Sequence, residues 1–275
     1  MTASARAEAP ERGGLGPAYA AARTRFLLVG LLLALAGVAW WWTAGQMQDM
    51  DAGPWTELGT LGWFLGVWVV MMAAMMFPSV APTVALYSKL TRTRPLAAPL
   101  VFTSGYLLVW SAVGGLAFVV ATVGGQVFGD VLAWERAGQW IAGLTLIVAA
   151  IYELTPLKDV CFGKCRSPLG FLLGAWRDGL SGALQMGARH GAWCVGCCWA
   201  LMASLFALGV MSLAWMAFIA GVIALEKLLR WRRAATWGTA GVLLALGVLV
   251  LAAPELIPGL TIPASDSMSR DQMSP

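Results

Sequence analysis

The sequence predicts an all-α fold, a polytopic transmembrane helix bundle of about seven spans with the N-terminus inside and the C-terminus outside. Three observations carry this. Of 275 residues, 59% are hydrophobic and only 12% are charged, where a soluble domain carries about a quarter, and the mean hydropathy is +0.75. Seven apolar runs each approach the ~20 residues that a helix needs to cross hydrocarbon. The Lys and Arg residues gather at alternate ends of those runs, as the positive-inside bias requires.

In chain order, residues 1–25 are rich in Ala, Gly and Arg and are expected to form a disordered basic tail. The apolar run that follows is long and flanked like a true span, unlike a cleavable signal. The runs lie at 26–45, 62–87, 97–122, 137–154, 191–208, 212–229 and 236–253. The second contains Pro78 and Pro82, so its second half is expected to kink or break. The fifth and sixth form one block too long for a single crossing, with a tight turn expected near Gly209. The longest connection, 155–190, includes a 176–189 stretch readable as an interfacial helix or a re-entrant segment. The transmembrane domain is therefore 26–253, and 254–275 is a polar tail.

Charge placement tests the count. With the N-terminus inside, the inner groups are Arg6, Arg12, Arg23 and Arg25, then Lys89, Arg92 and Arg94. Next come Lys158, Lys164, Arg166, Arg177 and Arg189, and finally Lys227, Arg230, Arg232 and Arg233. These are sixteen of the 18 basic residues, and only Arg136 and Arg270 fall outside. Merging the fifth and sixth runs would put the last cluster on the wrong side.

Three groups of residues have ligand chemistry. His190, Cys194, Cys197 and Cys198 are spaced i, i+4, i+7 and i+8, which on a helix makes one stripe. Cys161 and Cys165 stand at i, i+4. Met71, Met72, Met75 and Met76 form two interleaved i, i+4 pairs within the second run. Imidazole and thiolate suit Cu(I) or Zn(II), and thioethers hold Cu(I) well while binding hard ions poorly. Cysteines at a cytoplasmic face stay reduced, which favours metal over a disulfide. Each group also has a plain packing reading, since Met fills gaps in membrane helices and buried Cys behaves as a small hydrophobe. Glu153 and Glu226, near span ends, are expected to snorkel or to pair with Lys158 or Lys227 and not to relay protons.

Other chemistry is disfavoured. One histidine leaves no Ser-His-Asp candidate and no bis-His haem ligation in a monomer. A Walker-type loop and a dinucleotide fingerprint are missing, and no basic face suits nucleic acid. The chain is not expected to be an enzyme.

The stretches WVVMMAAMMFPSVAP (68–82), YELTPLKDVCFGKCRSPLGFL (152–172) and GALQMGARHGAWCVGCCWALMASLFALGVMSLAWM (182–216) resemble the family called domain of unknown function 2182. That family is described as predicted metal-binding integral membrane proteins, some labelled copper chaperones. The resemblance covers about 60–230. It implies that Cys161, Cys165, His190, Cys194, Cys197 and Cys198 are the metal positions, with Met71, Met72, Met75 and Met76 as companions.

The leading expectation is an inner-membrane protein that binds Cu(I), with Zn(II) as the alternative ion, for handling, delivery or transport. The cluster would sit at the cytoplasmic end of a span. Expected partners are membrane lipid, the metal ion, a metallochaperone and other membrane subunits. Two other classes stand beside it: a metal-free structural or assembly subunit, suited to the 32 Gly and 15 Trp residues, and a thiol redox membrane protein.

Overall fold

The computed structural model describes residues 15–47, 59–91, 96–132, 137–208, 212–228 and 231–254. Among these residues there are nine helices and no strand. They are α1 (Leu15–Met47), α2 (Leu61–Leu90), α3 (Ala97–Leu132), α4 (Gln139–Glu153), α5 (Pro156–Arg166), α6 (Pro168–Gly174), α7 (Gly179–Leu208), α8 (Leu213–Leu228) and α9 (Arg232–Ala252). Five are long and apolar enough to cross a membrane, or six if the bent pair α4–α5 counts as one crossing. Each of the seven apolar runs falls on its own helix: α1 to α4 and α7 to α9.

Several boundaries differ from the sequence reading. Residues 15–25, expected in the disordered tail, are helical and begin α1. Neither proline breaks α2, which runs on to Leu90. Pro78 lacks the N–H that would bind the carbonyl of Ala74, four residues earlier. The indole of Trp40 on α1 donates to that carbonyl at 3.1 Å instead, so a neighbouring helix satisfies the group the proline leaves open. The expected turn near Gly209 lies outside the described residues, as do 1–14 and 255–275; α7 and α8 are nevertheless separate helices.

The largest difference is at 155–190, which is α5, α6 and the first three turns of α7. Thr155 caps α5, its hydroxyl accepting from the Lys158 N–H at 3.4 Å, and Pro156 opens the helix. That is the usual division of labour at a helix start. The chain bends by 68° between α4 and α5, which folds α5 back against α7.

Close approach between helices depends on glycine. A Cβ on Gly187 would strike the backbone carbonyl of Phe102, and one on Gly105 would strike that of Leu184. With no hydrophobic drive between helices in lipid, such small-residue seams let dispersion and polar contacts act. The pair α4 and α9 is built likewise around Gly143 and Gly247. There Gln139 donates to the carbonyls of Val250 and Leu251 at 2.8 and 3.2 Å, which lie in the last turn of α9 and have no intrahelical donor. The indole of Trp68 ties α2 to α3 through the carbonyl of Trp110 at 2.8 Å.

These contacts also fix relative direction. Trp40 meets Ala74 while Arg25 and Lys89 share a cleft, so α1 and α2 are antiparallel. Trp68 meets Trp110 and Tyr87 meets Phe102, so α2 and α3 are antiparallel. Phe102 abuts Gly187 and Tyr106 abuts Gly191, so α3 and α7 run parallel. Gln139 reaches Val250 and Gly143 reaches Gly247, which makes α4 and α9 antiparallel.

Candidate metal centre

On α7, Cys194, Cys197 and Cys198 occupy i, i+3 and i+4 and all three are buried. A fourth sulfur arrives from another element. The Sγ atoms of Cys165 on α5 and of Cys194 and Cys197 on α7 all lie within 4.8 Å of one another. The approach of α5 to α7 depends on Gly196: a Cβ there would stand 2.9 Å from the Cys161 sulfur. The Tyr152 hydroxyl on α4 donates to the Gly196 carbonyl at 2.5 Å, which pins the same turn from a third side. All five cysteines are free thiols.

Cys194 has polar neighbours from two further helices. The Tyr106 hydroxyl on α3 lies 3.1 Å from its sulfur, and the Lys227 ammonium on α8 donates to it at 3.3 Å. Lys227 also donates to the Ser79 hydroxyl at 3.2 Å, and Ser79 donates to the Met76 carbonyl at 2.8 Å. Around Cys197, the thiol donates to the Cys194 carbonyl at 3.2 Å and lies 3.4 Å from the Cys198 sulfur.

The predicted site residues thus divide. Cys165, Cys194 and Cys197 converge, and Cys198 adjoins them through Cys197. Cys161 packs one turn away against Gly196 and is outside the converging set. His190 is also outside that set, one turn before Cys194. Its ring lies among Phe102, Tyr106 and Phe171 at centroid distances of 5.9, 6.0 and 5.0 Å. Its Nδ1 is buried without a hydrogen-bond partner, a state rare enough in folded proteins to require a reason. Met71, Met72, Met75 and Met76 are all buried in the same core. Their hydrogen-bonded link to the thiols runs from Met76 through Ser79 and Lys227.

Both acids pair with one of the two expected lysines, and Glu153 takes Lys158. Glu226 also takes Lys158, at 2.8 Å, and leaves its sequence neighbour Lys227 to the thiol. The three charges are each at most 3% exposed and join α4, α5 and α8. Sequence reasoning missed Tyr106, Lys227 and Ser79 as neighbours of the cluster, because no spacing rule connects helices α2, α3 and α8 to Cys194. The one cue was Lys227 itself, a cation beside an acid at a span end with two candidate partners.

Thiolates that share a metal at ~2.3 Å stand ~4 Å apart, so the three converging sulfurs need only side-chain adjustments to close on one ion. The sequence model of one protein family, PpoB2, described as a copper chaperone, matches residues 65–250. No curated protein and no solved structure matches the chain.

Proposed function

The chain belongs to the PpoB2 copper chaperone family, and from that premise we propose that it is a non-catalytic, multi-pass inner-membrane protein that binds Cu(I) in its α5–α7 thiol cluster. The carrying observation is the convergence of Cys165, Cys194 and Cys197 from two helices in a buried place. Three thiols brought together from elements twenty-nine residues apart in sequence exceed what packing of a small hydrophobe requires.

Charge suits Cu(I) held by two of the three thiolates. Two thiolates and Cu(I) carry one net negative charge, and the Lys227 ammonium beside Cys194 balances it. A neutral assembly is what a low-dielectric interior tolerates. Cys198, 3.4 Å from Cys197, is a further donor. His190, with its open Nδ1 one turn before Cys194, is the nitrogen ligand that a side-chain rearrangement would have to bring in. Zn(II) is the ion to run beside copper, because Cys and His serve both.

Seven crossings with N-in and C-out agree with the helix directions. Antiparallel α1/α2 and α2/α3 with parallel α3 and α7 leave one net return crossing, α4, between the latter two. Helix α7 spans 30 residues, about 45 Å at 1.5 Å per residue against ~30 Å of hydrocarbon. The stripe therefore sits mid-helix, and exposed Arg189 just before it favours a place near the inner face of the apolar layer.

The test is Cu(I) and Zn(II) stoichiometry of purified protein titrated against a competing chelator. Wild type is expected to hold Cu(I), and Cys194→Ser with Cys197→Ser is expected to lose it. Undiminished binding in that double variant would sink the site.

A further inference from the structure

A cleft lies between α1 and α2, away from the thiols. It has a volume of about 430 Å³ and is lined by Arg25, Val29 and Leu33 from α1 and by Pro78, Pro82 and Lys89 among others from α2. The α1 residues are spaced i, i+4 and i+8, one straight wall about 12 Å long. The facing wall is low because α2 presents Ala81, Pro82 and Ala85 there. The two helices are antiparallel, so Arg25 and Lys89 stand at the same end and the rest of the cleft is apolar. Among the described residues neither cation forms an ion pair. Both belong to the basic clusters that the charge pattern places inside.

We propose that this cleft binds one anionic phospholipid, its phosphate between Arg25 and Lys89 and one acyl chain along Val29, Leu33, Pro78 and Pro82. The complementarity is in both charge and length. Two cations stand where one anionic headgroup would lie, and basic residues at the cytoplasmic surface attract anionic lipid. A wall of ~12 Å covers most of one ~15 Å leaflet of hydrocarbon. A free phosphate would use the two cations but not the apolar groove. A zwitterionic lipid would use the groove but gain less from the cations. The site also touches the helix pair that carries the methionine run, so lipid bound there braces α1 on α2.

The site rests on the membrane-spanning reading of these helices and not on copper. The experiment uses the full chain, purified in detergent and delipidated, then titrated with phosphatidylglycerol, phosphatidylcholine or inorganic phosphate and followed by native mass spectrometry. Phosphatidylglycerol is expected to be retained at least about tenfold more tightly than phosphatidylcholine, with no retained phosphate. Arg25→Gln with Lys89→Gln should remove that preference. Ala85→Trp, which fills the groove and leaves both cations, should weaken retention of the same lipid. The helical circular dichroism signal and melting temperature of each variant in detergent serve as the check on folding. Equal retention of the two lipids, or an unchanged preference in the double Gln variant, would overturn the site. Retained inorganic phosphate would reduce it to an anion contact and overturn the lipid assignment. A chain that stays in solution without detergent would defeat the membrane reading itself, a separate outcome.

Discussion

Four helices meet at the sulfur of Cys194: its own α7, α5 through Cys165, α3 through Tyr106 and α8 through Lys227. The hydroxyl and the ammonium are the polar groups that hold this thiol in one orientation. Outer partners of metal ligands, when removed, typically cost 10- to 100-fold in affinity. Lys227→Met keeps much of the side-chain length and removes the charge, so Cu(I) affinity is expected to fall roughly tenfold or more, read by chelator competition. Tyr106→Phe keeps the ring against His190 and loses only the hydroxyl contact, so its effect should be smaller and of the same sign. A lysine variant with wild-type affinity would remove the charge-balance argument for Cu(I).

At the scale of elements, the seam between α3 and α7 sets the site. Gly105 and Gly187 let two backbones touch, and Tyr106 reaches Cys194 only because they do. Gly187→Val places a branched Cβ against the Phe102 carbonyl oxygen, where even a lone Cβ would clash. Overpacking of that kind costs about 1–3 kcal/mol or more, and here the relief is separation of the helices. The expected outcome is a lower melting temperature together with weakened Cu(I) binding, whereas Gly30→Val on α1, where a Cβ meets nothing within 4 Å, should change neither. The short helix α5 is the other decisive element. Its start was written in Thr155-Pro156, a cap followed by a proline at the first helical position, yet the polar composition of 155–167 reads as a loop. The i, i+4 spacing of Cys161 and Cys165 was legible. Which of the two faces α7 was not, because the 68° bend that aims them comes from packing.

Across the whole molecule, the buried Glu153–Lys158–Glu226 group ties α4, α5 and α8 into one body around the thiols. Removing the shared cation leaves two buried carboxylates without compensation, and breaking a buried pair in this way costs about 3–5 kcal/mol. Lys158→Met should therefore unfold markedly earlier in a thermal or denaturant series. Adding Glu153→Gln and Glu226→Gln to it should recover much of the loss, since the uncompensated charges are then gone. On the topology proposed above, a reporter fused at the C-terminus should be active only outside the cytoplasm.

Sequence alone determined that the described residues form helices with membrane-length apolar runs, and it named the thiols and the histidine as the residues to watch. Both follow from local chemistry: apolar run length dictates helices in a medium without water, and ligand type is a property of the side chain. The partition of those residues was decided only by the tertiary fold. Cys165 joins Cys194 and Cys197 while Cys161 packs against Gly196, and Lys227 turns to a thiol while Glu226 takes Lys158. These choices depend on a bend and on glycine seams that bring distant segments together. Spacing along one helix carries no information about the helix that will face it.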